Sequence, residues 1–146
     1  MLKENKQSFS ANRVVMFLSL WVLNSLLFLV FKQILGGNVV LGNDRVAAPM
    51  AVVFSGLVLT LATYAVEPII QKSGLKVKDK KLMAIFYLVA NVLGIWIIKR
   101  LERLTGVGIS STMYVVIVGA AATFAQWAVI EYVVPVITGK KIGKSR

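Results

Sequence analysis

The chain contains no histidine and no cysteine. Those absences remove imidazole acid–base chemistry, thiol nucleophiles, disulfides and the side chains that most often hold zinc, haem iron or iron–sulfur clusters. Acids are scarce too. The six carboxylates are Glu4, Asp44, Glu67, Asp79, Glu102 and Glu131, and no two stand close together in sequence as a catalytic pair would. Charged residues make up only 16% of the chain, against about a quarter in a soluble domain. That is too little polar surface to cover a water-facing globule. The composition argues against an enzyme, and no catalytic, cofactor-binding or metal-binding residues are expected.

What is present is apolar. Of 146 residues, 58% are hydrophobic, and the mean hydropathy is +0.78 for a mass of 16.0 kDa. The length fits a single domain, and the composition fits one embedded in a membrane. The net charge of +11 suggests either nucleic acid or an anionic lipid surface. Position decides between them. The charges sit in short clusters between long uncharged runs, as loops between spans do, so no nucleic-acid partner is expected.

The uncharged runs are Val14–Phe31, Val46–Val66, Leu82–Ile98 and Leu104–Ile130. A membrane helix needs about 20 apolar residues, so four spans are predicted, at about 14–35, 46–68, 82–100 and 111–136. The first is read as an uncleaved span, because its apolar run outlasts a signal peptide and no A-x-A site follows. Gly36-Gly37-Asn38, Gly42-Asn43-Asp44 and Thr105-Gly106-Val107-Gly108 punctuate the loops. Asn43 or Asp44 is expected to cap the second helix, whose first turn holds Pro49, and Ser110 or Ser111 the fourth.

Twelve of the 17 basic residues fall in the N-terminal tail, the Lys72–Lys81 connector and the C-terminal tail. The opposite side holds Lys32, Arg45, Lys99, Arg100 and Arg103. This bias predicts a multi-pass protein of the plasma (inner) membrane with both termini in the cytoplasm. Lys72, Lys76, Lys78, Lys80 and Lys81 form a topology determinant that also contacts anionic lipid headgroups.

A single constant shift of the chain lays Asn24 on Asn91, Lys32 on Lys99, Pro68 on Pro135, and Asn43-Asp44 on Ser110-Ser111. The rarer residues carry this signal. It suggests a duplicated two-span hairpin, 14–70 and 81–137, with halves related by an axis along the membrane normal. The expected fold is therefore an all-α bundle of four membrane helices built from two antiparallel hairpins.

Several polar residues fall inside the spans. Asn24 and Asn91 lie near the middle of the first and third, where hydrocarbon offers an amide no partner. Either they face the bundle and tie helices together, or they line a pore or substrate path. Gly56, Thr60, Thr63 and Glu67 share one face of the second helix. Gly119, Thr123, Ala121 and Ala125 give the fourth small-residue spacings that let helices approach closely, and Gln126 adds a third amide. Glu67 and Glu131 are the acids nearest membrane depth, at the predicted cytoplasmic ends, where intramembrane carboxylates are functional candidates. Pro68 predicts a kink or helix end at Glu67. Trp21, Tyr64, Tyr87, Trp96, Tyr114, Trp127 and Tyr132 are scattered along the spans, several at depths that suit interfacial belts.

The segment Trp21-Val22-Leu23-Asn24-Ser25-Leu26, the run Glu67-Pro68-Ile69-Ile70 and the third-span Val89-Ala90-Asn91-Val92-Leu93 resemble motifs of the four-span phage-holin-like proteins called holin superfamily IV. The resemblance covers about Val14–Val134. It implies a small membrane protein that oligomerises or perturbs the bilayer. The chain departs from that family in having Tyr64 and Glu67 where Asn and a basic residue usually precede the Pro, and in a longer Gly36–Arg45 loop. The GtrA-like group, which is thought to move lipid-linked sugars, also repeats a two-span hairpin. Its Asn-Arg-x-Trp-x-Phe pattern is missing here, so it ranks second. Three roles are thus expected in order: a holin-like protein, a transporter or flippase for a small or lipid-linked solute, and an accessory subunit of a larger membrane assembly. Four spans enclose little volume, so a homo-oligomer or larger assembly is expected for either of the first two.

Overall fold

A computed structural model describes residues 2–77, 79–137 and 139, with side chains from residue 12 onward. Lys78, Lys140, Lys141, Lys144 and Arg146 lie outside the described residues, as do the side chains of Lys3 and Lys6.

The chain is mostly helical. The elements are α1 (Leu2–Leu35), β1 (Val39–Leu41), α2 (Ala48–Tyr64), α3 (Val66–Lys72), α4 (Lys80–Arg100), α5 (Glu102–Thr105), β2 (Val107–Ile109), α6 (Thr112–Ala128) and α7 (Val134–Ile137). A single 3-10 turn, Gly36–Asn38, precedes β1, and a π-helical turn, Val129–Val133, joins α6 to α7. Four stretches are long and apolar enough to cross a membrane: Asn12–Asn38, Ala48–Lys72, Lys80–Arg100 and Thr112–Ile137.

The prolines set the helix breaks. A proline ring clashes with the carbonyl four residues earlier, which for Pro68 is Tyr64, the last residue of α2. The break therefore falls at Ala65 rather than at Glu67, which lies within α3. For Pro135 the corresponding carbonyl belongs to Glu131. There the helix widens instead of ending, and the Val134 amide donates to Val129 O five residues back.

The expected caps also shift. The second helix starts behind Ala47, with Pro49 in its first turn. Asn43 is occupied elsewhere: its Oδ1 accepts from the amides of Arg45 and Val46, both at 2.8 Å, and its Nδ2 donates to Glu102 O at 2.9 Å. Ser111 holds the cap position of α6 without a side-chain bond, while Ser110 Oγ donates to Asn38 Oδ1. The side-chain cap that does form is Asp79, which accepts from the Lys81 amide at the start of α4.

Helix α1 packs along α2, and α4 along α6; α2 also meets α4, and α6 meets α1, closing a four-helix ring. One end of the ring carries the start of α1, the α3–α4 connector and α7, and is here called the terminal end. The other is closed by a feature beyond the all-α expectation. There β1 and β2 form an antiparallel ribbon, pairing Val39 with Ile109, Val40 with Gly108 and Leu41 with Val107. Backbone bonds from Gly42 to Gly106 O (2.7 Å) and from Ser110 to Asn38 O (3.0 Å) extend it. Gly106 turns out of α5 at φ 72°, a left-handed conformation that glycine adopts without a steric penalty.

The ribbon's inner side chains, Val39, Leu41, Val107 and Ile109, are buried. They pack onto Phe28, Phe31, Leu59, Ile95, Ile98, Val115 and Val118. All of these lie on the ribbon side of Asn24, Thr60, Asn91 and Gln126. The dry core thus fills one half of the bundle.

Candidate functional site

The middle of each long apolar helix delivers one or two polar side chains to a common layer. Asn24, Thr60, Thr63, Asn91 and Gln126 are at most 2% exposed. Asn24 Nδ2 donates to Thr60 Oγ1 at 2.9 Å. Asn91 Nδ2 donates to Thr123 Oγ1 at 2.9 Å and to Gln126 Oε1 at 2.8 Å. Gln126 Nε2 returns bonds to Asn91 Oδ1 (3.0 Å) and Asn24 Oδ1 (2.7 Å). Gln126 therefore joins α1 to α4, and the two Asn meet through it rather than directly.

The threonines finish the set. Thr60 donates to Gly56 O, Thr123 to Gly119 O, and Thr63 to Leu59 O and Thr60 O. Among the described residues, no buried side-chain nitrogen or oxygen is left without a partner. Satisfaction of this kind is what an apolar surrounding demands. Gly56-x3-Thr60-x2-Thr63 and Gly119-x3-Thr123-x2-Gln126 share one internal spacing. Laying one on the other needs a shift about one helical turn smaller than the shift that superposes Asn24 on Asn91. A repeat alignment that matched both would have to slip in the loop before α2 and return to the original shift by Pro68 and Pro135.

The glycines bring the helices close enough for these bonds. A Cβ at Gly56 meets Ser25 Oγ, and also Ser25 N at 2.8 Å and Cα at 2.9 Å; one at Gly119 meets Val92 Cγ2 at 2.7 Å.

The terminal half is less filled. A cavity of about 220 Å³ lies between α4 and α6, reaching from Gln126 and Thr123 past Tyr87 and Met83 to Glu67, Lys80 and Glu131. Tyr87 Oη donates to Glu67 Oε1 at 3.3 Å. Across this pair lies a second cavity of about 260 Å³, bordered by Arg13, Met16, Tyr64 and Gln71. Lys80 Nζ stands 3.9 Å from Glu131 Oε1, with the two side chains 87% and 43% exposed. Such a surface pair contributes about 0–1 kcal/mol. Both carboxylates are exposed at this end, and Glu67 does not share the burial of Gly56, Thr60 and Thr63. Lys72, Lys76 and Lys81 are exposed there as well.

Sequence reasoning places Tyr87 among the scattered aromatics and misses it as a site residue. The available signal is its spacing: Met83, Tyr87 and Asn91 fall at i, i+4 and i+8, so the tyrosine lies one turn from the buried amide on the same face. Chemically, the assembled site offers amides, hydroxyls and two solvent-reached carboxylates around an apolar-walled hollow. It is equipped to bind a ligand that has a polar end.

Compared with known proteins, the chain matches no family model, no curated protein and no solved structure.

Replacing the amides should weaken the bundle unequally. Asn91 makes three side-chain bonds and Asn24 two. Such bonds average about 0.6 kcal/mol and reach about 1.7 kcal/mol in membrane bundles. Asn91→Leu should therefore cost about 2 kcal/mol and Asn24→Leu about 1 kcal/mol in detergent unfolding. Equal, negligible effects would show that the layer does not hold the helices together.

Proposed function

We propose that the chain is a four-span integral membrane protein, made of two repeated hairpins, with both ends in the cytoplasm. Its function, in this reading, is to take up an amphiphilic solute from the cytoplasmic leaflet, the binding step of a small non-enzymatic carrier or flippase. The observation that carries the reading is the hollow between α4 and α6, with a charged mouth, apolar walls and an amide-lined inner end.

Membrane insertion is supported by the exterior. Large apolar side chains are exposed on all four long helices, among them Leu26, Leu61, Leu93 and Phe124, the last 71% exposed. A water-soluble monomer rarely shows such continuous apolar area. The repeat is supported by the shared Gly-x3-Thr spacing and by the ribbon, in which the pairs Val40–Gly108 and Leu41–Val107 exchange under the shift that lays Asn24 on Asn91, as a twofold relation requires.

The holin-like role is the second reading. The hydrogen-bonded amides close the centre of each bundle, so a pore would have to form between copies. The stripe Val14, Leu18, Val22, Leu26 and Leu29 on α1 is exposed and offers a face for that assembly.

Induced expression in cells carrying a potential-sensitive dye separates the two. A carrier should leave the membrane potential intact, whereas a holin-like protein should collapse it and arrest growth. Tags at both termini should be protected from outside reagents; an accessible C-terminal tag would overturn the proposed orientation.

A further inference from the structure

The hollow between α4 and α6 does not stop at the bundle surface. Ala84, Thr123 and Trp127, which line it, also line a groove on the outer face of the same helix pair, together with Ile85, Leu88 and Phe124. Ala84 and Ala120 make the floor low, while Phe124 and Trp127 stand beside it as a wall. Trp127 also meets Phe124 at 6.3 Å and Tyr132 edge-on at 6.2 Å. Ala120 to Trp127 is about 10 Å of helix, and the groove follows the helix axes, the direction in which a lipid tail lies. Its polar end is the terminal end, where the charged α3–α4 connector lies. Groove and hollow together have the shape and polarity of a single lipid standing in one leaflet.

The charges at the mouth decide which lipid. Inside the hollow two carboxylates, Glu67 and Glu131, face one ammonium, Lys80, while Arg13 borders the far side of Glu67. A purely anionic headgroup would bring its phosphate to Lys80 but leave nothing to pair with the two carboxylates that line the hollow. A headgroup carrying both phosphate and ammonium satisfies both signs: its phosphate takes Lys80, and its ammonium takes Glu131 and Glu67. A primary ammonium donates up to three hydrogen bonds to carboxylate oxygens, whereas a trimethylated one donates none. The present Lys80–Glu131 pair is wide and exposed, so a headgroup can part it at little cost.

We propose that the α4–α6 cleft is a specific site for a phospholipid with a primary-amine headgroup, its tail in the Ala84–Ala120 groove and its headgroup between Lys80, Glu131 and Glu67. The proposal rests on the membrane-embedded, amphiphile-binding reading above, and it names the ligand of that site.

The test uses the full chain in mixed micelles containing equal phosphatidylethanolamine, phosphatidylcholine and phosphatidylglycerol, with retained lipid measured by native mass spectrometry. Phosphatidylethanolamine should be retained about tenfold over phosphatidylcholine. The doubly substituted E67Q/E131Q chain, altered only at exposed positions, should lose that preference. Ala120→Trp, which fills the groove, should lower retention of every lipid, with its fold checked by circular dichroism. Equal retention of the amine and its trimethylated form, preference for phosphatidylglycerol, or an unchanged E67Q/E131Q profile would each overturn the assignment. A lipid-scrambling assay in vesicles separates this failure from that of the carrier reading. Amine preference without faster scrambling leaves the site and removes the carrier; faster scrambling without amine preference does the reverse.

Discussion

Gln126→Leu is expected to destabilise the bundle more than replacement of either asparagine. In detergent, the loss should be about 2–4 kcal/mol, read from reversible unfolding. Leu has the volume to fill the space but neither a donor nor an acceptor. Three bonds disappear together: Nε2 to Asn24 Oδ1, Nε2 to Asn91 Oδ1, and Asn91 Nδ2 to Gln126 Oε1. Asn24 keeps its bond to Thr60, but its carbonyl oxygen stays buried with nothing to accept from, a loss of about 1–3 kcal/mol in a dry site. Partners found in the membrane-unfolded state return part of this. Gln126→Glu should be little better, because the carboxylate keeps the acceptor but removes both donated bonds, and the neutral acid restores only one of them. For the leucine variant, a shift within the range of an ordinary surface substitution, about 0.5 kcal/mol, would show that α6 does not bind α1 and α4 through this side chain.

The second large effect is expected at Gly56. Gly56→Ala puts a methyl group against the backbone of Ser25, not only against its hydroxyl. Helix α1 must then move away from α2, and overpacking of this kind costs about 1–3 kcal/mol. Removing the Ser25 side chain should recover little of the loss, since its backbone nitrogen and Cα are the obstacle. Gly119→Ala should behave differently. Its nearest neighbour is the end of the Val92 side chain, with Val92 backbone atoms at 3.1 Å, so Val92→Ala should restore most of the stability. Double-mutant cycles on the two pairs measure this contrast. Full rescue of Gly56→Ala by Ser25→Gly would contradict the close backbone approach.

The four long apolar helices were legible in the sequence because uncharged runs of this length have few other uses. The inward placement of the central amides followed from the same physics: an amide in an apolar span has to find a partner. Gln126 as the junction was less visible. Which of several polar residues bonds to which depends on helix rotation and depth, and neither is written in the local sequence. The caps failed for a related reason. Asn43 has the chemistry of a cap, but its side chain closes its own turn and reaches Glu102 on the other hairpin. The ribbon was overlooked because Val39-Val40-Leu41 and Val107-Gly108-Ile109 are short strands that pair across the two hairpins, and no local pattern announces such a pairing. One fixed shift relates Asn24 to Asn91 and Pro68 to Pro135 but not Gly56 to Gly119.

The ribbon has a mechanical consequence. Two hairpins joined by backbone bonds at one end, with a packed core beside the joint, behave as the arms of a pair of tongs. Their pivot is at the ribbon, and their tips are at the terminal end, where Tyr87 on one arm donates to Glu67 on the other at 3.3 Å. Thermal motion therefore spreads the tips and leaves the pivot shut. Under the lipid-site proposal, a small swing of one arm against the other widens the mouth at Glu67 while the ribbon stays shut. Under the carrier reading, passage to the opposite leaflet would require the latch of β1 and β2 to peel. On that reading the pace of a crossing would be set by a short stretch of paired backbone, far from Lys80, Glu131 and Glu67.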